Sequence, residues 1–130
     1  ENGAGRYQQR VTVATHTLIA DEPVSMGGND AGPAPFDYLL TALGACTSMT
    51  LRMYAELTKL PLERVSVTLA HEKIEVEGKG KIDRISRRIT LEGDLTPEQR
   101  SRMLEIANRC PVHRTLSGNL EIDSSLAANA

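Results

Sequence analysis

Residues 38–51 read YLLTALGACTSMTL, a run without a single charged side chain. Its residue types favour a helix, and the stretch from Phe36 to about Thr58 is long enough to be the longest helix of the chain. A helix that is apolar on every side has to be covered on every side. Gly44, the interspersed Thr and Ser residues and Arg52 argue against a membrane span and for burial inside protein. In a chain of 130 residues such cover calls for a second subunit, so the run predicts a homodimer.

Reading outward from that run, residues 21–35 (DEPVSMGGNDAGPAP) are dense in Gly, Pro and Asp and predict a loop. A loop of that length in a compact domain usually has a function or lacks fixed structure. Before it, QRVTVATHTLIA (9–20) alternates, with Val11, Val13, Thr15, Thr17 and Ile19 on one face, and predicts one strand. Beyond the helix, Pro61 precedes two further strands, 65–76 and 81–93, joined at Glu77-Gly78-Lys79-Gly80 in a hairpin. Thr96, Pro97 and Gln99 spell a capped helix start. Met103, Ile106, Ala107 and Cys110 follow at helical spacing, so Cys110 closes the buried stripe. Pro111 breaks or restarts that helix, a last strand is expected over Asn119–Asp123, and residues 1–8 and 124–130 are expected to fray. Strand, long helix, hairpin, helix and strand in that order make an α+β class, within a single domain of 1–130.

The composition narrows the function. Apolar residues make up 40% and charged residues 25%, with 15 basic against 17 acidic side chains, so a nucleic-acid partner is not expected. The cluster Lys79, Lys81, Arg84, Arg87 and Arg88 reads as a solvated strand face. No signal peptide or bilayer-length apolar run is evident, so neither a membrane nor a secretory destination is expected, and the cytoplasm is. One Phe, three Tyr and no Trp leave the core to aliphatic residues.

The chain has two cysteines, Cys46 and Cys110, too few for a disulfide scaffold or a thiolate zinc site. Cys46 lies within the charge-free run, where a free cysteine often packs as a small hydrophobe. Cys110 sits in Arg109-Cys110-Pro111-Val112-His113-Arg114. If Pro111 restarts a helix, Cys110 is its N-cap, and helix N-termini and nearby cations stabilise thiolates. On the residues alone Cys110 is the better reactive thiol, although a cysteine beside a chain-turning proline also reads as core. His16 and His71 stand alone on strands and read as surface or core histidines. Without CxxC or HxxxH spacing, no metal or other cofactor is expected.

The two stretches GGNDAGPAPFDYLLTALGACTSMTLRMYA and RCPVHRTLSGNLEI together resemble the two cysteine motifs of the OsmC/Ohr superfamily, the osmotically inducible and organic-hydroperoxide-resistance proteins. The resemblance runs over residues 9–123 and lies nearest the OsmC-like branch. It implies an intertwined α+β homodimer with antiparallel sheets packed around long central helices. It also implies a peroxidase in which Cys46 attacks the peroxide, Cys110 resolves the resulting sulfenic acid as a disulfide, and an external dithiol restores the thiols. The order of attack is the reverse of the choice made from the residues alone.

Departures accompany the resemblance. Where well-characterised members carry a glutamate after the loop proline, this chain has Phe36, followed by Asp37. On a regular helix Asp37 lies half a turn from Cys46, so it assists only if the helix start is irregular or if it acts elsewhere. The arginine expected to support the thiolate comes from near the first strand, where Arg10 and Arg6 are the candidates. Phe36 also favours a second reading, a non-catalytic module that binds a small hydrophobic ligand among Leu39, Leu43, Met49 and Met53, or a redox sensor.

Overall fold

A computed structural model describes residues 1–128; the last two residues of the expected C-terminal tail lie outside the described residues. It contains strands β1 (Gln9–Val13) and β2 (His16–Ala20), helix α1 (Pro35–Leu57), strands β3 (Leu62–Val76) and β4 (Gly80–Gly93), and helices α2 (Pro97–Ala107) and α3 (Pro111–Ser117). The architecture is α+β, with two antiparallel two-stranded sheets, β1–β2 and β3–β4. Contacts divide the chain into two compact units, Glu1–Ala45 with Val67–Ile89, and Cys46–Ser66 with the chain from Thr90 onward. Helix α1 and strands β3 and β4 each contribute one part to each unit.

The first unit corrects one expectation. The span 9–20 is a tight hairpin and not one strand: Val13 pairs with His16, and the register continues through Val11 opposite Leu18 to Gln9 opposite Ala20. The turn falls on Ala14 and Thr15, with Ala14 at φ 52. Asn and Gly are the usual residues at such positions, so no sequence signal marked the turn.

The Gly/Pro loop that follows is ordered around one carboxylate. Asp21 is buried; its Oδ1 accepts the Glu22 N–H at 2.8 Å, and its Oδ2 accepts those of Asn29 and Ala31, each at 3.1 Å. Burial pushes the Asp21 pKa up, but the N–H groups of Ala31, Glu22 and Asn29 outweigh that and hold it below its ordinary value. Residues 24–26 make a single 3-10 turn within this loop.

Strand β3 lies close to the first half of α1. A Cβ on Gly44 would come within 2.8 Å of Leu69 Cδ1, so any larger residue there would make the leucine side chain shift. Both long strands alternate exposed and half-buried residues, and the alternation slips by one at Glu72–Lys73 and at Asp83–Arg84. Of the basic cluster, Lys79, Lys81, Arg84 and Arg88 are exposed as expected. Arg87 falls on the alternate, half-buried set and is the exception.

In the second unit, α2 begins as the sequence indicates. Gln99 N–H donates to Thr96 Oγ1 at 3.1 Å and Thr96 N–H donates to Gln99 Oε1 at 2.9 Å, a complete capping box. Met103, Ile106, Ala107 and Cys110 are all buried, with Leu51, Ala55, Leu62 and Leu95 among the other buried residues of this unit.

One further expectation is corrected. Residues 119–123 form no strand; they are irregular and exposed, with Leu120 and Ile122 open to solvent. A strand needs a neighbouring edge to receive its N–H and C=O groups, and among the described residues no strand pairs with this segment. Within the single chain α1 is covered on one side: Leu43, Thr47, Leu51 and Ala55 form its buried stripe, whereas Met49 and Met53 are 61% and 62% exposed. Among the described residues, no helix is long and apolar enough to cross a membrane.

Candidate active site

Cys46 lies mid-way along α1 and is half-buried. At 100° per residue it is about 60° around the helix from Met49, and Ala42, Ala45 and Met53 lie within about 40° of Met49. Cys46 therefore borders a continuous apolar face whose other members are all exposed. The next residue, Thr47, belongs to the buried stripe on the far side.

Cys110 is fully buried at the junction of α2 and α3. Pro111 restarts the helix, with its fixed φ suited to the first helical position and its missing N–H costing nothing there. Cys110 becomes the N-cap in extended conformation, and its Sγ accepts the His113 N–H at 3.3 Å. Thr47 Oγ1 stands 3.8 Å from the same sulfur, within reach of a weak hydrogen bond in which either atom can donate. Both partners are fully buried.

The supporting residues are placed differently. Asp37 sits in the first turn of α1, where its Oδ2 accepts the Ala34 N–H at 3.0 Å. That is the reach of a third helical residue back to the cap, so this carboxylate serves the helix start. Arg10 is exposed on β1, paired through its backbone position with Ile19. The Arg6 guanidinium lies 4.9 Å above the Tyr7 ring.

His71 does not stand alone as its sequence context indicated. Its ring stacks on Phe36, with centroids 4.3 Å apart, and its Nε2 lies 2.8 Å from Asp83 Oδ1. Lys73 Nζ reaches the same oxygen at 3.0 Å. Hydrogen bonds from His71 and then Lys73 hold the Asp83 carboxyl below its ordinary pKa. The pairing was not legible because its members are twelve residues apart across a hairpin whose alternation slips at that level. Thr47 was also missed, although its i+4 spacing from Leu43 and to Leu51 was the available signal. Among the described residues, no group of three or more His, Cys, Asp or Glu side chains is arranged to hold a metal.

Comparison with known proteins adds to this geometry. A family model described as OsmC-like protein matches residues 27–125, a span that takes in both cysteines. Solved structures share the fold. One is an organic hydroperoxide resistance protein OsmC, a predicted redox protein, from Legionella pneumophila: TM-score 0.64, 18% identity, covering 93% of this chain and 94% of that one. An OsmC-like protein from Mycoplasma pneumoniae has TM-score 0.72 at 17% identity, covering 85% and 79%. A putative organic hydroperoxide resistance protein from Vibrio cholerae, with captopril bound in one of its active sites, has TM-score 0.61 at 20% identity, covering 93% and 92%. No curated protein matches the chain in sequence.

Proposed function

The chain belongs to the OsmC-like family, and on that footing we propose that it is a thiol-dependent peroxidase that reduces organic hydroperoxides. The observation that carries this reading is the unequal access of its two thiols, Cys46 half-buried beside an open apolar face and Cys110 fully enclosed. A peroxide meets Cys46 first. That supports the order of attack implied by the family and speaks against the order suggested by the local sequence of Cys110.

The Cys46 thiolate attacks the distal oxygen of the hydroperoxide. An S–O bond forms as the O–O bond breaks, the alcohol leaves with a proton, and Cys46 becomes a sulfenic acid. The Cys110 sulfur then attacks the Cys46 sulfur: an S–S bond forms, the S–O bond breaks, and the oxygen leaves as water. An external dithiol reduces the disulfide by two exchanges and is itself oxidised. Two thiols and one hydroperoxide thus give one disulfide, one alcohol and one water. With Asp37 occupied at the helix start and Phe36 in the glutamate's place, support for the thiolate falls to other groups, Arg10 among the candidates.

The active form in this proposal is a homodimer in the reducing cytoplasm. The exposed face of Ala42, Ala45, Met49 and Met53 supports it, since apolar surface of that extent along one helix is covered when a second copy packs on it. The same pairing puts Cys46 at the edge of an apolar cleft suited to an organic peroxide.

The test is a thiol count on the reduced protein during titration with cumene hydroperoxide and hydrogen peroxide, with Cys46→Ser and Cys110→Ser alongside. Loss of both thiols at one equivalent, faster with the organic peroxide and abolished by Cys46→Ser, is the expected result. Abolition by Cys110→Ser alone would reverse the roles. Thiols that persist through many equivalents would sink the peroxidase and leave a module that binds a hydrophobic ligand, a reading that Phe36 favours.

A further inference from the structure

Thr47 is a hydroxyl enclosed in a helix whose other buried residues, Leu43, Leu51 and Ala55, are apolar. Its Oγ1 lies 3.8 Å from Cys110 Sγ, and by sequence it is the immediate neighbour of Cys46. We propose that Thr47 is the positioning residue for the resolving thiol, holding Cys110 Sγ at the level of α1 where Cys46 is oxidised. The proposal rests on the two-thiol reading above and adds to it a residue that never touches the peroxide.

Cys110 is held from its own side by the His113 N–H, which fixes the sulfur at the start of α3 but not against α1. Thr47 supplies the second constraint, from the helix that carries Cys46. A sulfur held at two points loses less freedom on reaching the S–S transition state than one free to rotate about its Cα–Cβ bond. Valine at 47 keeps the β-branched shape and removes the oxygen. Serine keeps the oxygen and removes a methyl group. The two substitutions therefore separate hydrogen bonding from packing.

The experiment drives disulfide closure in two ways in the reduced full-length chain, with wild type, Thr47→Val and Thr47→Ser. One oxidant is cumene hydroperoxide. The other is diamide, in which one thiol adds to the N=N bond and the second displaces the nitrogen, giving the disulfide and a hydrazine without any peroxide chemistry. Loss of one hydrogen bond predicts closure in Thr47→Val slower by roughly three- to tenfold with either oxidant, with Thr47→Ser near wild type. Urea midpoints confirm that each variant is folded, and Thr47→Ala reads the same loss should valine fail to pack.

Equal rates for Thr47→Val and wild type would overturn the proposal, as would Thr47→Ser slowed as much as Thr47→Val, which is the mark of packing. Absence of a Cys46–Cys110 disulfide in diamide-treated wild type would also overturn it. A Thr47 dependence seen with diamide, together with inertness to peroxide, would leave the positioning role standing and remove the peroxidase.

Discussion

Phe36 and His71 are stacked face to face, their ring planes 14° from parallel, so the first turn of α1 is pinned to β3 by an aromatic pair. The imidazole is held in turn by Asp83, which keeps its plane fixed under the phenyl ring. Such pairs contribute about 0.5–1.5 kcal/mol beyond the area they bury. In a double-mutant cycle of Phe36→Leu and His71→Leu, a coupling energy of about 1 kcal/mol is expected from urea denaturation. Additive losses would mean that the stack contributes nothing specific.

The Asp83 carboxylate gives the same cluster a pH signature. Its folded-state pKa is depressed by His71 and Lys73, so the stabilisation it brings is present above the ordinary carboxylate range and is lost as pH falls through the depressed value. Asp83→Asn should therefore be less stable than wild type near neutrality, and the two should converge in acid. Asp21 obeys the same sign for a different reason, its three backbone N–H donors. Asp21→Asn sets an amide N–H against those donors, and a lowered thermal midpoint is expected whose deficit shrinks as the pH falls below the carboxylate range. A deficit that stays constant with pH in either variant would show that charge is not what the site uses.

What the sequence made legible was local. The capping box at Thr96, the hairpin at Gly78 and the N-cap role of Cys110 each depend on residues within a few positions of one another, and each is present. The turn at Ala14 lacked any glycine or asparagine to announce it, and the Asp21 loop is ordered by bonds to residues eight and ten positions on. Pairing across strands depends on register, and register hides the meeting of His71 with Asp83. Cys46 and Cys110 were singled out because a thiol is rare enough to be noticed. Thr47, one threonine among several in the helix, was not.

Residues 119–123 carry a strand pattern, with Leu120 and Ile122 alternating with Glu121 and Asp123, yet among the described residues no strand pairs with them. If the dimer supplies the missing edge, backbone amides in this segment become protected there and only there. Hydrogen exchange followed across a dilution series should show protection at 119–123 that disappears as the protein dissociates. Ile122→Pro, which removes an N–H and bars ladder pairing, is expected to weaken association by about tenfold or more. Fast exchange of this segment at every concentration would leave it a tail.

The exposed face of α1 makes the strongest quantitative claim about assembly. Met49 and Met53 lie one turn apart, both well over half exposed, on the face that Cys46 borders. Burying what remains exposed of these two side chains against a second copy contributes roughly 2–4 kcal/mol per protomer, scaled from the full burial of a methionine. A charge placed there must be desolvated for the dimer to form and costs nothing in an isolated chain. Met49→Glu with Met53→Glu should therefore convert the protein to a monomer in sedimentation equilibrium. Its α2 capping box and the Cys110 cap at α3 involve no residue of this face and should persist, so helical circular dichroism should be largely retained. In the proposed dimer the partner completes the apolar cleft beside Cys46, so peroxide consumption should fall together with dimer content. A double variant that remains dimeric would show that this face is not the interface, and one that is monomeric but fully active would show that the site needs no second chain.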